Sequence, residues 1–413
     1  MCCCCCCPPA ISALFYLWVR SGFSKGSVAG ALTFFPPDPP HYKFQRVDKD
    51  GKILPDDAND DGVAEEDVGN VDDNGDADDD SDLGTFEIDT KSSHPTTQND
   101  NDSNSNGLAR KKKERQQEQQ RAAAAASQDP IVAMTQRSKK LRARAKHRAT
   151  IDTSDSQNGV TYNFIPDESI VGKLPSFHGT IHPIKIGPQK KTGTYIAALL
   201  YKLPPSECNT NTKTILYSHG NATDIGAMAS LQCVIAKNVK CHVLVYDYSG
   251  YGESGGIPME KNTYRDVKMV YEWVVANVTH HERNVILYGQ SVGSGPSCYL
   301  ASRREHVGGL ILHSPFTSGM RVLTPSRALA CLDIFPNIDR IAKVQCPVFI
   351  IHGKKDQEVA FEHGLALQAA VPEEYKTDPW WVSNKGHNDV VDGNNIVEYI
   401  QRLNRFVRHL DAA

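Results

Sequence analysis

Residues 284–304 read NVILYGQSVGSGPSCYLASRR. The apolar residues Val285 to Tyr288 run straight into Gly289-Gln290-Ser291-Val292-Gly293, and a run of small residues follows. This order reads as a buried strand, a sharp turn, and a helix packed close against the sheet. Such a turn strains its central residue and leaves the serine hydroxyl exposed, as a nucleophilic serine requires. The G-x-S-x-G string alone is weak: a chain of 413 residues with ordinary glycine usage contains it by chance roughly one time in seven. A second copy, Gly252 to Gly256 in GYGESGG, lacks the context, because a glycine-rich spacer separates it from its strand and Ile257-Pro258 follow it. That copy reads as a loop, and Ser291 is the candidate nucleophile.

Outward from Ser291, short apolar runs alternate with helical periods from about Thr161 to the end of the chain. TYIAALLYKL, KTILYSHG, CHVLVYDYSG, GGLILHSP and CPVFIIHGKKD each read as a buried strand, most of them ending in Gly, Ser or Asp. Helices are expected from Asp224 to Asn238, Glu260 to Val278 and Val292 to Arg304, with a last one over NIVEYIQRLNRFVRHL. The pattern is that of an α/β-hydrolase fold, a mainly parallel sheet flanked by helices. About 250 residues suffice for one such domain with its own core. Ligands in these folds bind beyond the carboxyl ends of the strands, where the polar punctuation sits here.

A serine hydroxyl needs a general base, and the base needs an orienting acid. On this fold the chain order is serine, acid, histidine. Asp356 follows the strand CPVFIIHG, and His387 lies in SNKGHNDVV between the strand PWWVS and the final helix. Both stand where the order requires. His219, His313 and His352 come too early or on the wrong strand, and each reads as a loop hydrogen-bonder. The oxyanion of the tetrahedral intermediate needs backbone donors. The N–H of Val292 is one candidate, and the loop after KTILYSHG, at Asn221 and Ala222, is the other.

The amino terminus poses a different question. Cys2, Cys3, Cys4, Cys5, Cys6 and Cys7 are consecutive, and Pro8-Pro9 and an apolar run to Val19 follow. Adjacent cysteines meet disulfide geometry only with strain, and they lack the paired spacing of a zinc site. Beside a short apolar segment they read as acceptors of S-palmitoylation, and several acyl chains supply the multiple signals that stable anchoring needs. Pro8 and Pro9 leave too short an uninterrupted run for a membrane span, and no positive region precedes it as in a secretory signal. Arg20 and Lys25 suit an anionic leaflet.

The formal charge of −4 conceals a sharp polarity along the chain. Residues 56–89 are crowded with acids and hold no lysine or arginine. Such a stretch buries too little apolar surface to offset its ordering entropy and is expected to be disordered. RKKKERQQEQQRAAAAA and QRSKKLRARAKHRAT then reverse the sign. With no aromatic residues interleaved for base stacking, the basic runs read as solvated linker rather than a nucleic-acid surface. VDKDGKILPDD fails as an EF-hand loop, since Arg46 and Asp57 would stand at its first and last positions. No metal or nucleotide motif occurs, so no cofactor is expected. The organisation expected is a lipidated targeting segment over residues 1–47, a disordered acidic-then-basic insertion over 48–160, and the catalytic domain over 161–413.

Together SHGNATDIGAM, YDYSGYGESGG, EKNTYRDV, ILYGQSVGSGP, LHSPFTSGMRV, DIFPNIDRI, HGKKDQEVAFEHGLAL and GHNDV, in that order, resemble the α/β-hydrolase domain-containing protein 17 family. ALTFFPPDPPHY, after the cysteines, extends the resemblance to the amino terminus. The resemblance implies a membrane-anchored depalmitoylase that cleaves the thioester between a fatty acyl chain and a protein cysteine. It places the triad on Ser291, Asp356 and His387, the residues chosen by chain order. It further implies a palmitoylated cysteine cluster and S-acylated membrane proteins as substrates. A monomer on the cytoplasmic face of the plasma or endosomal membrane is expected. Met320, Leu323 and Phe335 are candidates for an acyl groove, with core packing as the alternative for each. Two other readings stand beside depalmitoylation: a lipid or small-ester hydrolase, and a non-catalytic membrane adaptor. The charged insertion and the GSGP after the nucleophile turn depart from the family pattern.

Overall fold

The computed structural model describes residues 33–55, 155, 158–190, 192–323 and 333–412. Its strands are β1 Tyr42–Val47, β2 Thr161–Pro166, β3 Thr180–Ile186, β4 Ile196–Lys202, β5 Thr214–Ser218, β6 His242–Tyr246, β7 Val285–Gln290, β8 Gly309–His313, β9 Val348–Gly353 and β10 Trp380–Val382. The longer helices are α1 Ala229–Val239, α2 Glu260–Val274, α3 Ser294–Ala301, α4 Phe361–Ala370 and α5 Asn395–Ala412. Strands β3 to β10 form one sheet in the order β10-β9-β8-β7-β5-β6-β4-β3. Neighbours from β10 to β6 are parallel, and β4 pairs antiparallel with both β6 and β3.

Each apolar run singled out in the sequence is a strand of this sheet. The runs are continuous rather than alternating because both faces are covered. Every residue of β5, β6 and β8 is buried. Leu216, Leu244, Leu287, Leu312 and Ile350 pack into one layer with Val267 and Val270 of α2 and Cys298 of α3. Their neighbours Ile215, Val243, Ile286, Ile311 and Ile351 pack into the other, with Ile235 of α1 and Tyr399, Leu403 and Phe406 of α5.

The strand order decides where a ligand can sit. From β5 the chain passes to β6 on one side, then crosses by way of α2 to β7 on the other. The connections diverge between β5 and β7, so a crevice opens beyond their carboxyl ends. Ser218 at the end of β5 pairs in register with Gly289 of β7. The loops that leave these two strands are therefore neighbours.

Three strands were not anticipated. β3 carries Pro183 at the sheet's antiparallel edge, where a missing N–H is tolerated. β1 and β2 pair antiparallel as a separate ribbon, with Tyr42 opposite Pro166 and Val47 opposite Thr161. The start of the catalytic domain at Thr161 must accordingly be moved. Residues 33–55 belong to the same unit as the sheet, and Phe34, Tyr42 and Phe44 are core residues. More than a hundred residues separate β1 from β2, so no local pattern announced their pairing. α1 likewise begins at Ala229 rather than Asp224, because Asp224 closes a turn by accepting from the N–H of Ala227 at 2.9 Å. Cys2 to Cys7, the apolar run after them, the acidic tract and the basic runs lie outside the described residues.

A chain that begins at Thr161 is expected to accumulate as insoluble protein, or to melt well below the full chain. Each large side chain it lacks contributes about 1.5–3 kcal/mol by burial. Soluble expression of that truncation at the full chain's melting temperature, read by scanning fluorimetry, would show residues 33–55 to be an appendage.

Candidate active site

Strand β7 ends at Gln290, and Ser291 stands at φ 51°, in the left-handed region that non-glycine residues avoid. Such a backbone costs on the order of 1–3 kcal/mol and persists only where its surroundings enforce it. Two glycines do so. A Cβ on Gly289 would lie 2.5 Å from the carbonyl oxygen of Gly293 and 2.8 Å from Ser294 Cα. One on Gly293 would run into the carbonyls of Ser218 and His219 beyond β5. The turn can thus fold back on itself and against the neighbouring strand only because both positions lack side chains. Ser294, at the start of α3, donates from its Oγ to the Ser291 carbonyl at 2.6 Å and fixes the turn from the other side. α3 opens with the small residues Ser294 to Cys298 and lies almost wholly buried.

The other copy of the motif is put to a different use. Ser254 is buried, donating to the Asp247 carbonyl at 2.8 Å and accepting from the Ala197 N–H at 2.9 Å. It staples a loop.

Asp356 and His387 come from the loops after β9 and β10. A Cβ on Gly353 would strike the carbonyls of Lys385 and Gly386, so the backbones of the two loops are in direct contact. The Lys355 N–H donates to the Lys385 carbonyl at 2.9 Å, and the Gly386 N–H donates to Asp389 Oδ1 at 2.6 Å. The loop thus formed carries His387 to the end of β7. Its Nδ1 lies 2.7 Å from Asp356 Oδ2, and its Nε2 lies 2.9 Å from Ser291 Oγ. A carboxylate only accepts, so Nδ1 is the donor and Nε2 is left free to accept from the serine. Asp356 and His387 are both buried, while Ser291 is partly exposed.

The Asp356 carboxylate is held on several sides. Its Oδ1 accepts from the N–H groups of Val359 at 2.8 Å and Glu358 at 3.0 Å. His352 Nε2 lies 3.3 Å from its Oδ2 and 2.9 Å from the Val359 carbonyl. Burial pushes this carboxyl up, but hydrogen bonds from His352, His387 and Val359 outweigh it and hold the group well below the usual carboxylate range.

The three remaining histidines at the strand ends are fully buried beneath this arrangement rather than on open loops. His352 supports Asp356. His313 pairs in register with Gln290, and its Nδ1 lies 2.9 Å from Tyr288 Oη. Burial, reinforced by the neighbouring His387 and His352, pushes its pKa down to about 3, so it is a neutral partner of the tyrosine. His219 Nε2 lies 3.1 Å from Asp247 Oδ1. Their only sequence signal is a position at the carboxyl end of a buried strand.

The loop after β5 lies beside the nucleophile turn, with the Cβ direction of Gly220 meeting Gln290 Cδ at 4.0 Å. Val292 directly follows Ser291 in a short 3-10 turn, and Asn221 and Ala222 sit on the facing turn. Phe335 is fully buried, in edge contact with Phe34, Tyr264 and Phe316, so it is a core residue and not a groove wall. The side chains of Met320 and Leu323 lie outside the described residues.

A mainly parallel sheet, a strained serine between strand and helix, and a histidine and aspartate brought to it by later loops define a serine hydrolase of the α/β class. Residues 209–338 match a family model described as serine aminopeptidase, S33. A human relative, α/β hydrolase domain-containing protein 17B, is 45% identical over 202 residues, which are 48% of this chain and 68% of the relative. A Xenopus laevis relative, protein 17C, is 40% identical over 218 residues, 52% of this chain and 67% of that one. Among solved structures, the Pyrococcus furiosus esterase Pf2001 aligns over 57% of this chain and 95% of its own at 15% identity, with a TM-score of 0.46. The chain belongs to the α/β hydrolase domain-containing protein 17 family.

Proposed function

We propose that this protein removes palmitoyl and other fatty acyl groups from S-acylated cysteines of membrane-associated proteins, through an acyl-enzyme on Ser291. The observation that carries the reading is the continuous line from Ser291 Oγ to His387 Nε2 at 2.9 Å and from His387 Nδ1 to Asp356 Oδ2 at 2.7 Å. In this reading His387 takes the serine proton as Oγ attacks the thioester carbonyl carbon. The N–H of Val292 and the backbone at Asn221 and Ala222 receive the oxyanion. The carbon–sulfur bond then breaks, and His387 returns its proton to the departing cysteine sulfur. A thiolate, with a parent pKa of about 8.5, leaves more readily than an alkoxide, so a thioester asks less of the acid than an oxygen ester does. Water deprotonated by His387 finally hydrolyses the acyl-serine, releasing the fatty acid and restoring Oγ–H. Asp356 remains a carboxylate throughout and orients the imidazole.

The site of action follows from Cys2 to Cys7. Palmitoylated, they would hold the enzyme on the cytoplasmic face of the membrane that carries its substrates and raise the effective substrate concentration with no new contact at the site. Among the described residues no helix is long and apolar enough to cross a membrane. Changing Cys2 to Cys7 to serine together is expected to move the protein to the soluble fraction on cell fractionation, with activity on a soluble ester within about twofold of the parent. A variant that stays with membranes would assign anchoring to the apolar run or the basic segment.

Release of palmitate from an S-palmitoylated peptide by the purified chain, beside an oxygen-ester analogue, tests the activity itself. Preferential turnover of the thioester is expected. Turnover of the oxygen ester alone would make the protein a lipid or small-ester hydrolase, and turnover of neither would leave a membrane adaptor.

A further inference from the structure

The segment before β1 reaches the loop whose backbone faces the nucleophile turn. Asn221 Nδ2 donates to the Thr33 carbonyl at 2.6 Å, and Asn221 Oδ1 accepts from the Phe35 N–H at 3.0 Å and from Tyr251 Oη at 2.8 Å. The Phe35 N–H also lies 3.1 Å from Tyr251 Oη. Further along, the His41 N–H donates at 2.7 Å to Asp224 Oδ2, a carboxylate with no solvent exposure. Tyr42 Oη donates to Asp247 Oδ2 at 2.6 Å, and Asp247 Oδ1 accepts from the Ile225 N–H at 3.1 Å. Both ends of the turn 221–225 are thus tied to residues 33–42.

The fit is close as well as polar. A Cβ on Gly226 would lie 2.8 Å from Tyr42 Cβ and 2.9 Å from the His41 carbonyl, so the segment rests directly on the backbone that leaves the loop. Phe34 is buried and packs edge-on against Tyr251. The loop has no strand or helix of its own between Ser218 and Ala229 to fix it. Oxyanion donors, however, act only if held in place: a misplacement of about 1 Å costs on the order of 100-fold in rate.

We propose that Thr33–Tyr42 is a positioning strap for the oxyanion loop, with Asn221 and Tyr251 as the positioning side chains that pass its hold to the backbone at 221–222. The inference rests on the oxyanion role given to that backbone above. It does not depend on thioester preference, so a soluble p-nitrophenyl ester serves as substrate.

The test compares the full-length chain with Asn221→Ala, Tyr251→Phe, Ser291→Ala and a remote control, Asn404→Ala, which removes a donor to the Asn238 carbonyl across the surface. Each is assayed for kcat and KM per active site, for melting temperature, and for affinity toward a trifluoromethyl ketone, whose tetrahedral adduct places an oxyanion at the loop. Asn221→Ala and Tyr251→Phe are expected to lower kcat by about 10- to 100-fold with KM nearly unchanged, and to weaken the ketone by the same factor. Asn404→Ala should match the parent. A merely structural role would lower the melting temperature or the active fraction and leave kcat per active site intact. Should Asn221→Ala fail to fold, Tyr251→Phe removes one hydroxyl from the same junction and carries the test. Parental kcat and ketone affinity in the folded variants would overturn the strap, with Ser291→Ala inactive. Turnover surviving in Ser291→Ala would instead overturn the proposed chemistry.

Discussion

Ser291→Ala is expected to abolish hydrolysis of both thioester and oxygen ester, a loss on the order of 10⁶-fold where all acceleration runs through the serine. The substitution deletes only Oγ. Alanine carries the same Cβ into the φ 51° backbone that serine already adopts, so the strain of the turn is unchanged. The hydroxyl's partner here is His387 Nε2, and none of the neighbouring turn contacts uses it: Ser294 Oγ bonds the carbonyl of Ser291, and the two glycines pack by backbone. The variant should therefore melt close to the parent. Steady-state assays with purified protein, together with loss of fluorophosphonate labelling, measure the effect. Residual turnover above about 1% in a folded variant would show that another group supplies the nucleophile.

Asp356→Asn should be nearly as damaging, lowering kcat by roughly 10⁴-fold with little change in KM. Asparagine keeps an oxygen for the N–H groups of Val359 and Glu358, which bond Oδ1. Its amide nitrogen then faces His387 Nδ1, where a donor is already present. The imidazole must place its proton on Nε2, toward Ser291, and ceases to be a base. The native carboxyl, held below its ordinary range, is charged throughout ordinary assay conditions, so it should add no acidic limb to the pH–rate profile above about pH 4. Its folded pKa lies below the unfolded one. The stability it contributes is therefore fully present above about pH 3.9 and lost as the pH falls through the folded value. The asparagine variant should lack that part of the acid sensitivity. An Asp356→Asn enzyme within tenfold of the parent would remove Asp356 from the mechanism.

Much of this arrangement is written locally. Strands β4 to β9 stand out because a strand covered on both faces has no polar alternation to hide it. The nucleophile could be told from its decoy by what surrounds each string, a strand and a small-residue run in one case, a glycine spacer and Ile257-Pro258 in the other. Chain order then selected Asp356 and His387 from many acids and histidines.

Other features had no local sign. Phe34, Tyr42 and Phe44 lie within the stretch read as a targeting segment, and nothing in it announces core residues until β1 meets β2. Asn221 stands out in the sequence only for its backbone, as a candidate oxyanion donor, yet its side chain is the point at which the strap grips the loop. His352 looks like any strand-end histidine until its Nε2 is found 3.3 Å from the Asp356 carboxylate.

The division has one physical cause. Periodic burial, glycine at a close approach and a serine between strand and helix are properties of a few adjacent residues, so the amino-acid sequence alone determined the fold class, the elbow and the three residues at the site. Which distant segment closes over the loop after β5 depends on pairings between residues more than two hundred positions apart, such as Tyr42 with Asp247. Closing loops of that length is repaid only by the summed packing of the whole domain, and only the tertiary structure decides it.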